Sequence, residues 1–286
     1  MAPDLPIQTM RLAHGGDLAF RTAGDVSQRP AVVLIHGVPN ASGYFRGLME
    51  PLLEVAFVVA PDLPGSGASD PLDQPTFKAF ADCIEELLDR LGVGERYLYV
   101  HDFGAPVALD LAMRAPELVS GLIVQNGNAH RSGMGPNWAD VIEFWSAPDA
   151  RNTAAATAHL TAEGTRGQYA DNVPEDLVAR LDPARWEEDW RVMNLPGRME
   201  TQKAMIADYG NHVARFGEIA AYLKQHQPPG LILWGRHDPY FETAEVLSWL
   251  EDLPRAQAHV LDAGHLLLET HAEPAARLIV DFVRSA

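Results

Sequence analysis

The sequence predicts an α/β fold, with a mostly parallel central sheet, helices on both faces and one helical insertion. Three observations lead there. Six short apolar runs, rich in β-branched and aromatic residues, lack a clear alternation, as strands covered on both faces do. Helical stretches fall between them, which is the α/β rhythm. Between about Ala129 and Gln227 the strand-like runs stop and only helical patterns remain. With 286 residues, 47% of them apolar and 21% charged, the chain is long enough to bury a core and is not a wholly disordered one.

In chain order, Ile7–Leu12 and Leu18–Thr22 flank His14-Gly15-Gly16-Asp17 and read as a hairpin. Ala31–Ile35 and Phe57–Ala60 read as buried strands. Thr76 to Leu91 places Phe77, Phe80, Ile84, Leu87, Leu88 and Leu91 at helical spacing and stops at Gly92, a residue suited to a helix C-terminus. Tyr97–Val100, Gly121–Gln125, Leu231–Trp234 and Ala258–Leu261 read as further buried strands. The insertion carries Ala, Trp and Met in helical patterns, broken at Asn194-Leu195-Pro196-Gly197. The expected division is a core of residues 1–128 and 229–286 around an insertion of 129–228.

Composition narrows the function. Twenty-two Lys and Arg stand against 39 Asp and Glu, a net charge of −17. Such a charge repels phosphate backbones and anionic lipid, so neither nucleic acid nor a membrane surface is an expected partner. Cys83 is the sole cysteine, so no internal disulfide and no multi-cysteine zinc site can form, and no metal or other cofactor is expected. No signal-like apolar segment opens the chain and no run reaches membrane-spanning length, which points to a cytoplasmic protein. The oligomeric state stays open, a homodimer included.

The chemistry centres on Tyr97-Leu98-Tyr99-Val100-His101-Asp102-Phe103-Gly104, a strand running into an abrupt turn. A helical pattern follows at once, with Pro106 in its first turn, where its missing N–H costs nothing. This is the shape of a nucleophile elbow, which lifts one side chain clear of the sheet. Asp102 occupies that slot, although it also reads as a helix cap. A carboxylate there can attack carbon directly. Asp238, in Gly235-Arg236-His237-Asp238-Pro239, and His265, in Ala263-Gly264-His265, follow later strands in the order nucleophile, acid, histidine. Asp238 also reads as an ordinary turn residue. His36-Gly37-Val38-Pro39 follows the first core strand, and the N–H groups of Val38 and Phe103 fall where an oxyanion hole would be.

These motifs resemble the α/β-hydrolase superfamily over nearly the whole chain, in the branch with an Asp nucleophile that holds epoxide hydrolases and dehalogenases. The resemblance implies that Asp102 forms an alkyl-enzyme ester, which water activated by His265, itself oriented by Asp238, then hydrolyses. It implies a helical cap with a Tyr donor for an epoxide's leaving oxygen. Tyr209 and Tyr169 are the candidates, the latter later than usual, since Phe144 and Trp145 occupy the region expected to hold the first Tyr. The substrate is expected to be a small, mainly apolar organic molecule in a pocket of His36, Pro39, Trp138, Phe144 and Trp145. Haloalkane dehalogenases typically place a Trp at the position of Phe103 and often an Asn at that of Val38, and neither residue here has a side-chain donor. An epoxide hydrolase is therefore the leading expectation. A haloalkane or haloacid dehalogenase using Trp138 or Trp145 is the alternative, and a catalytically silent binding protein a lesser one.

Overall fold

The computed structural model describes residues 5–13, 15–27 and 30–285. Eight strands form one sheet in the order β1-β2-β4-β3-β5-β6-β7-β8. The expected hairpin is β1 (Gln8–Arg11) and β2 (Asp17–Ala23), although His14 in its turn lies outside the described residues. β2 also pairs antiparallel with β4 (Phe57–Pro61). β3 (Ala31–Leu34), β5 (Arg96–His101), β6 (Val119–Gln125), β7 (Gly230–Gly235) and β8 (Gln257–Leu261) continue the sheet with parallel pairing, as does β4 with β3.

Missing alternation in the strands has a simple cause: both faces are covered. On β5, Leu98 and Val100 join one core while Tyr97 and Tyr99 join the other. On β7, Ile232 and Trp234 face one side, Leu231 and Leu233 the opposite one. α1 (Arg46–Leu52) packs with α12 (Leu268–Ser285) over one face. α2 (Phe77–Leu91), capped by the Thr76 side chain and ended by left-handed Gly92, packs with α3 (Ala105–Arg114) over the other. β8 departs from expectation. It lies at the sheet edge, and Val260 is 48% exposed, so Ala258–Leu261 is not a buried strand.

Between β6 and β7 there are only helices: α4 (Ala139–Ser146), α5 (Ala150–Ala156), α6 (Ala162–Ala170), α7 (Glu175–Val178), α8 (Pro183–Met193), α9 (Arg198–Ala214) and α10 (Phe216–His226), besides single 3-10 turns. α4 packs on α5 and α9, and α8 on α6 and α9. α10 touches α9 and also α3 and α11 (Ala244–Asp252), so it bridges the insertion and the sheet-covering helices. The chain leaves β3 for β4 on one side and later enters β5 on the other. A crevice forms where such paths diverge, outside the C-terminal ends of the strands.

Candidate active site

Asp102 directly follows β5 and has a φ of +47°, the left-handed region that L residues seldom adopt. This bend turns the carboxylate out of the strand line and into the crevice. Small neighbours make room for it. A Cβ on Gly37 would stand 2.1 Å from Asp102 Oδ1, and one on Gly104 would stand 2.5 Å from the His36 carbonyl oxygen. Glycine at these two positions lets the loop after β3 and the turn after β5 touch. The Val38–Pro39 peptide bond is cis.

Two backbone N–H groups hold the Asp102 carboxylate. Val38 N–H donates to Oδ1 at 2.7 Å, and the Phe103 N–H also bonds the carboxylate. Oδ2 faces His265 Nε2 at 3.4 Å. On its far side, His265 Nδ1 bonds Asp238 Oδ2 at 2.8 Å. The predicted trio therefore meets in space, with the His265 side chain wholly buried between two carboxylates. Burial opposes charge on His265, but Asp238 and Asp102 outweigh it and push the imidazole up to about 10. Burial likewise opposes the Asp102 anion, yet the His265 hydrogen bond and charge hold its carboxyl below the usual range.

Asp238 is fixed more thoroughly than a turn residue needs to be. Its Oδ1 accepts from Tyr240 N–H and Phe241 N–H. Its Oδ2 accepts from Asn126 Nδ2 at 2.7 Å. Asn126, at the end of β6 with a φ of +41°, is in turn held by the Gly235 N–H on its Oδ1. Sequence reasoning passed over Asn126 because it is not a carboxylate. Its position just past a buried strand was the available signal. His101 is sandwiched between the rings of Tyr44 and His265, and burial drives its pKa down to about 3, so it stays neutral.

Over Asp102 opens a cavity of about 290 Å³, lined mostly by apolar groups that include Val38, Phe103, Trp138, Val141, Ile206 and Phe241. Besides Asp102, its polar lining comes from Asn137, Asp140, His159, Gln168, Gln202 and Tyr240, none of which stood out in the sequence. Among the described residues no group of three His, Cys, Asp or Glu is arranged to hold a metal ion.

Several expected pocket residues lie elsewhere. Tyr209 is wholly buried behind Phe103, stacked on it at 4.6 Å and beside Trp138, so its hydroxyl does not line the cavity. Tyr169 bonds Asp189 and Asn40 in a separate polar recess near Arg46 and Glu269. Trp138 does line the cavity, but its indole N–H is spent on the Tyr240 carbonyl. Trp145 and Phe144 border a different groove, and the Trp145 N–H bonds the Ile206 carbonyl. His36 is buried beneath the loop, accepting from Leu63 N–H and bonding the Gly37 carbonyl, so it shapes the loop and not the pocket. Pro39 borders a small side chamber that shares Gln202 and His159 with the main cavity.

The family model for the alpha/beta hydrolase fold matches residues 30–272. The chain belongs to the α/β-hydrolase fold family. Among curated relatives, an uncharacterized hydrolase of Saccharomyces cerevisiae is 29% identical over 95% of this chain and 94% of its own length. A cis-3-alkyl-4-alkyloxetan-2-one decarboxylase of Shewanella oneidensis is 28% identical over 93% and 85% respectively. The crystal structure of haloalkane dehalogenase DbeA from Bradyrhizobium elkani superposes with a TM-score of 0.77 at 22% identity, over 99% of this chain and 98% of that one. In this α/β-hydrolase no helix among the described residues is long and apolar enough to cross a membrane.

Proposed function

We propose that this α/β-hydrolase opens an epoxide through an Asp102 ester and hydrolyses the ester to a vicinal diol. The observation that carries the reading is the Asp102 carboxylate itself, with one oxygen on the Val38 N–H and the other on His265. Oδ2 attacks an sp³ carbon, and the ring C–O bond breaks with its electron pair on oxygen. The resulting ester carbonyl keeps Oδ1 on the Val38 and Phe103 N–H groups. Water deprotonated by neutral His265 then adds to the ester carbon, and those donors hold the developing oxyanion, each such donor being worth about 3–4 kcal/mol. Asp238 keeps the imidazole aimed, and general-base help of this kind contributes roughly 10²–10⁴-fold. The helical insertion acts as a cap that excludes bulk water from the ester.

The leaving group is argued from hydrogen-bond supply. A halide needs N–H donors, yet Trp138 and Trp145 have theirs committed to carbonyls, and Phe103 and Val38 offer none from their side chains. Likeness to haloalkane dehalogenases carries the fold and not the reaction. The Shewanella relative is named for an oxetan-2-one, a strained ring bearing a ring oxygen, which is closer chemistry to an epoxide than to a halide. The apolar lining suits a small hydrophobic epoxide as the partner. Haloalkane dehalogenation is the second reading.

The test is intact-protein mass of a His265→Gln variant incubated with pooled aliphatic and aryl epoxides or pooled haloalkanes. Loss of the base stalls the second step, so an Asp102 adduct of epoxide mass is expected. An adduct of substrate mass less hydrogen halide, with none from epoxides, moves the function to dehalogenation. No adduct from either pool refutes the alkyl-ester mechanism.

A further inference from the structure

We propose that Gln202, assisted by His159, forms the polar pole of the cavity that receives the substrate's departing oxygen, a role that rests on the ring-opening reaction above. Gln202 lies on α9, one turn before Ile206, and is 3% exposed. It borders both the cavity over Asp102 and the side chamber behind Pro39. Its amide has no hydrogen-bond partner among the described side chains and backbone groups. The side chain is buried in the fold, yet its amide is not among the fully enclosed unpartnered groups and so faces the cavity. There the N–H₂ can donate to a ligand oxygen bearing extra electron density.

His159, between α5 and α6, borders the same two spaces and stands open to solvent at the cavity mouth. One ring nitrogen bonds the Ala156 backbone, which leaves the other for a ligand. The other ionisable groups on the cavity are Asp102, Asp140 on α4 and Tyr240 after β7. Desolvation lowers the His159 pKa, with the Ala156 bond and the Asp102 charge opposing it.

Rival donors are accounted for. The Trp138 indole is spent, Tyr209 is walled off by Phe103, and Tyr169 is committed to Asp189. Tyr240 also lines the cavity, with its ring edge-on to His265 and its hydroxyl under the charges of Asp171, Asp238 and Asp102, and the experiment below separates it from Gln202. When the C–O bond breaks, its electron pair stays on the ring oxygen. Gln202 N–H donates to that oxygen. The proton that completes the hydroxyl comes from the His159 imidazolium when it is present, and otherwise from water.

The experiment follows ester formation over time by intact mass in the His265→Gln background, with 1,2-epoxyhexane and 1-bromohexane as probes. Gln202→Leu is expected to slow alkylation by the epoxide at least tenfold and to leave any alkylation by the bromide unchanged. The epoxide rate should climb as the solution is acidified, and His159→Asn should flatten that climb. Gln202→Met and the melting temperature of each variant guard against a folding defect. A parental epoxide rate in Gln202→Leu, or a loss seen instead in Tyr240→Phe, overturns the assignment. A second readout needs no turnover: calorimetric binding of 1,2-hexanediol should weaken about tenfold in Gln202→Leu. If the parent forms no ester but diol binding still depends on Gln202, the ring-opening reading fails and the oxygen-binding pole stands. Diol binding that ignores Gln202 removes the pole itself.

Discussion

At the scale of single residues, the site is a chain of aimed groups: Gly235 holds Asn126, Asn126 holds Asp238, Asp238 holds His265, and His265 faces Asp102. Each link fixes the next, so damage at the outer end should reach the second half-reaction before the first. Asn126→Gly keeps the left-handed φ without strain and leaves Asp102 and its two N–H donors in place. Rapid-quench kinetics should then show the ester forming at a near-normal rate and decaying roughly tenfold or more slowly, because general-base help is what has been weakened. Equal slowing of both steps would contradict this division of labour. Asp102, Asp238 and His265 were legible in the sequence because each follows a strand-like run, and strand ends in an open sheet converge on one crevice. Tyr209 and Tyr169 were not placed correctly, since which way an aromatic ring points depends on what packs behind it. The stack of Phe103, Trp138 and Tyr209 has no local signature.

At the scale of elements, the insertion is tied to the core by discrete polar contacts as well as apolar ones. Asp208 on α9 accepts the Phe77 N–H at the start of α2, so one element caps another. Asp189 on α8 accepts from Asn40 Nδ2 at 3.0 Å, two residues beyond Val38, and from the Tyr169 hydroxyl. Burial lifts Asp189 to about 7, with Glu269 and Glu188 adding to the rise and its two hydrogen bonds opposing it. A carboxyl whose folded pKa lies above its unfolded value binds its proton more tightly when folded. Stability from this group is therefore lost as pH rises from about 4 through about 7. Asp189→Asn should raise the melting temperature at pH 8 by a few degrees and by clearly less at pH 5, as scanning calorimetry would show. An equal shift at both pH values would mean that the charge is not the cause. The hairpin, the buried strands and the helical insertion were legible as periodicity. The edge position of β8 was not, because its composition matches that of a covered strand and only the topology leaves it without a second neighbour beyond β7.

At the scale of the whole molecule, two sets of buried groups oppose each other in pH. His36, His101 and His212 are kept neutral by burial, His212 at about 4 and His101 at about 3. Their folded pKa lies below that of the unfolded chain, so stability falls as pH drops below about 6.5. Asp189 acts in the other direction, joined by His130, where burial lowers the pKa but Glu245 and Asp252, bonded to its two ring nitrogens, raise it above the ordinary value. The stabilisation from His130 is complete below about 6.5 and fades as pH climbs through its folded pKa. Denaturant midpoints measured from pH 4 to pH 9 should therefore peak between about 6 and 7. A monotonic rise toward alkaline pH would show that these buried groups do not control stability.

In the proposed mechanism, the position of His265 between two carboxylates also orders the reaction in time. While Asp102 is an anion, the imidazole holds its proton and cannot take one from water, so the resting protein is a poor hydrolytic machine. Turning Asp102 into a neutral ester deletes one of the two charges that keep that proton in place, so the imidazole falls toward its ordinary basicity and releases its proton to water before acting as the base. The first bond made thus arms the group that will cut it, and water is activated only when there is an ester to spend it on.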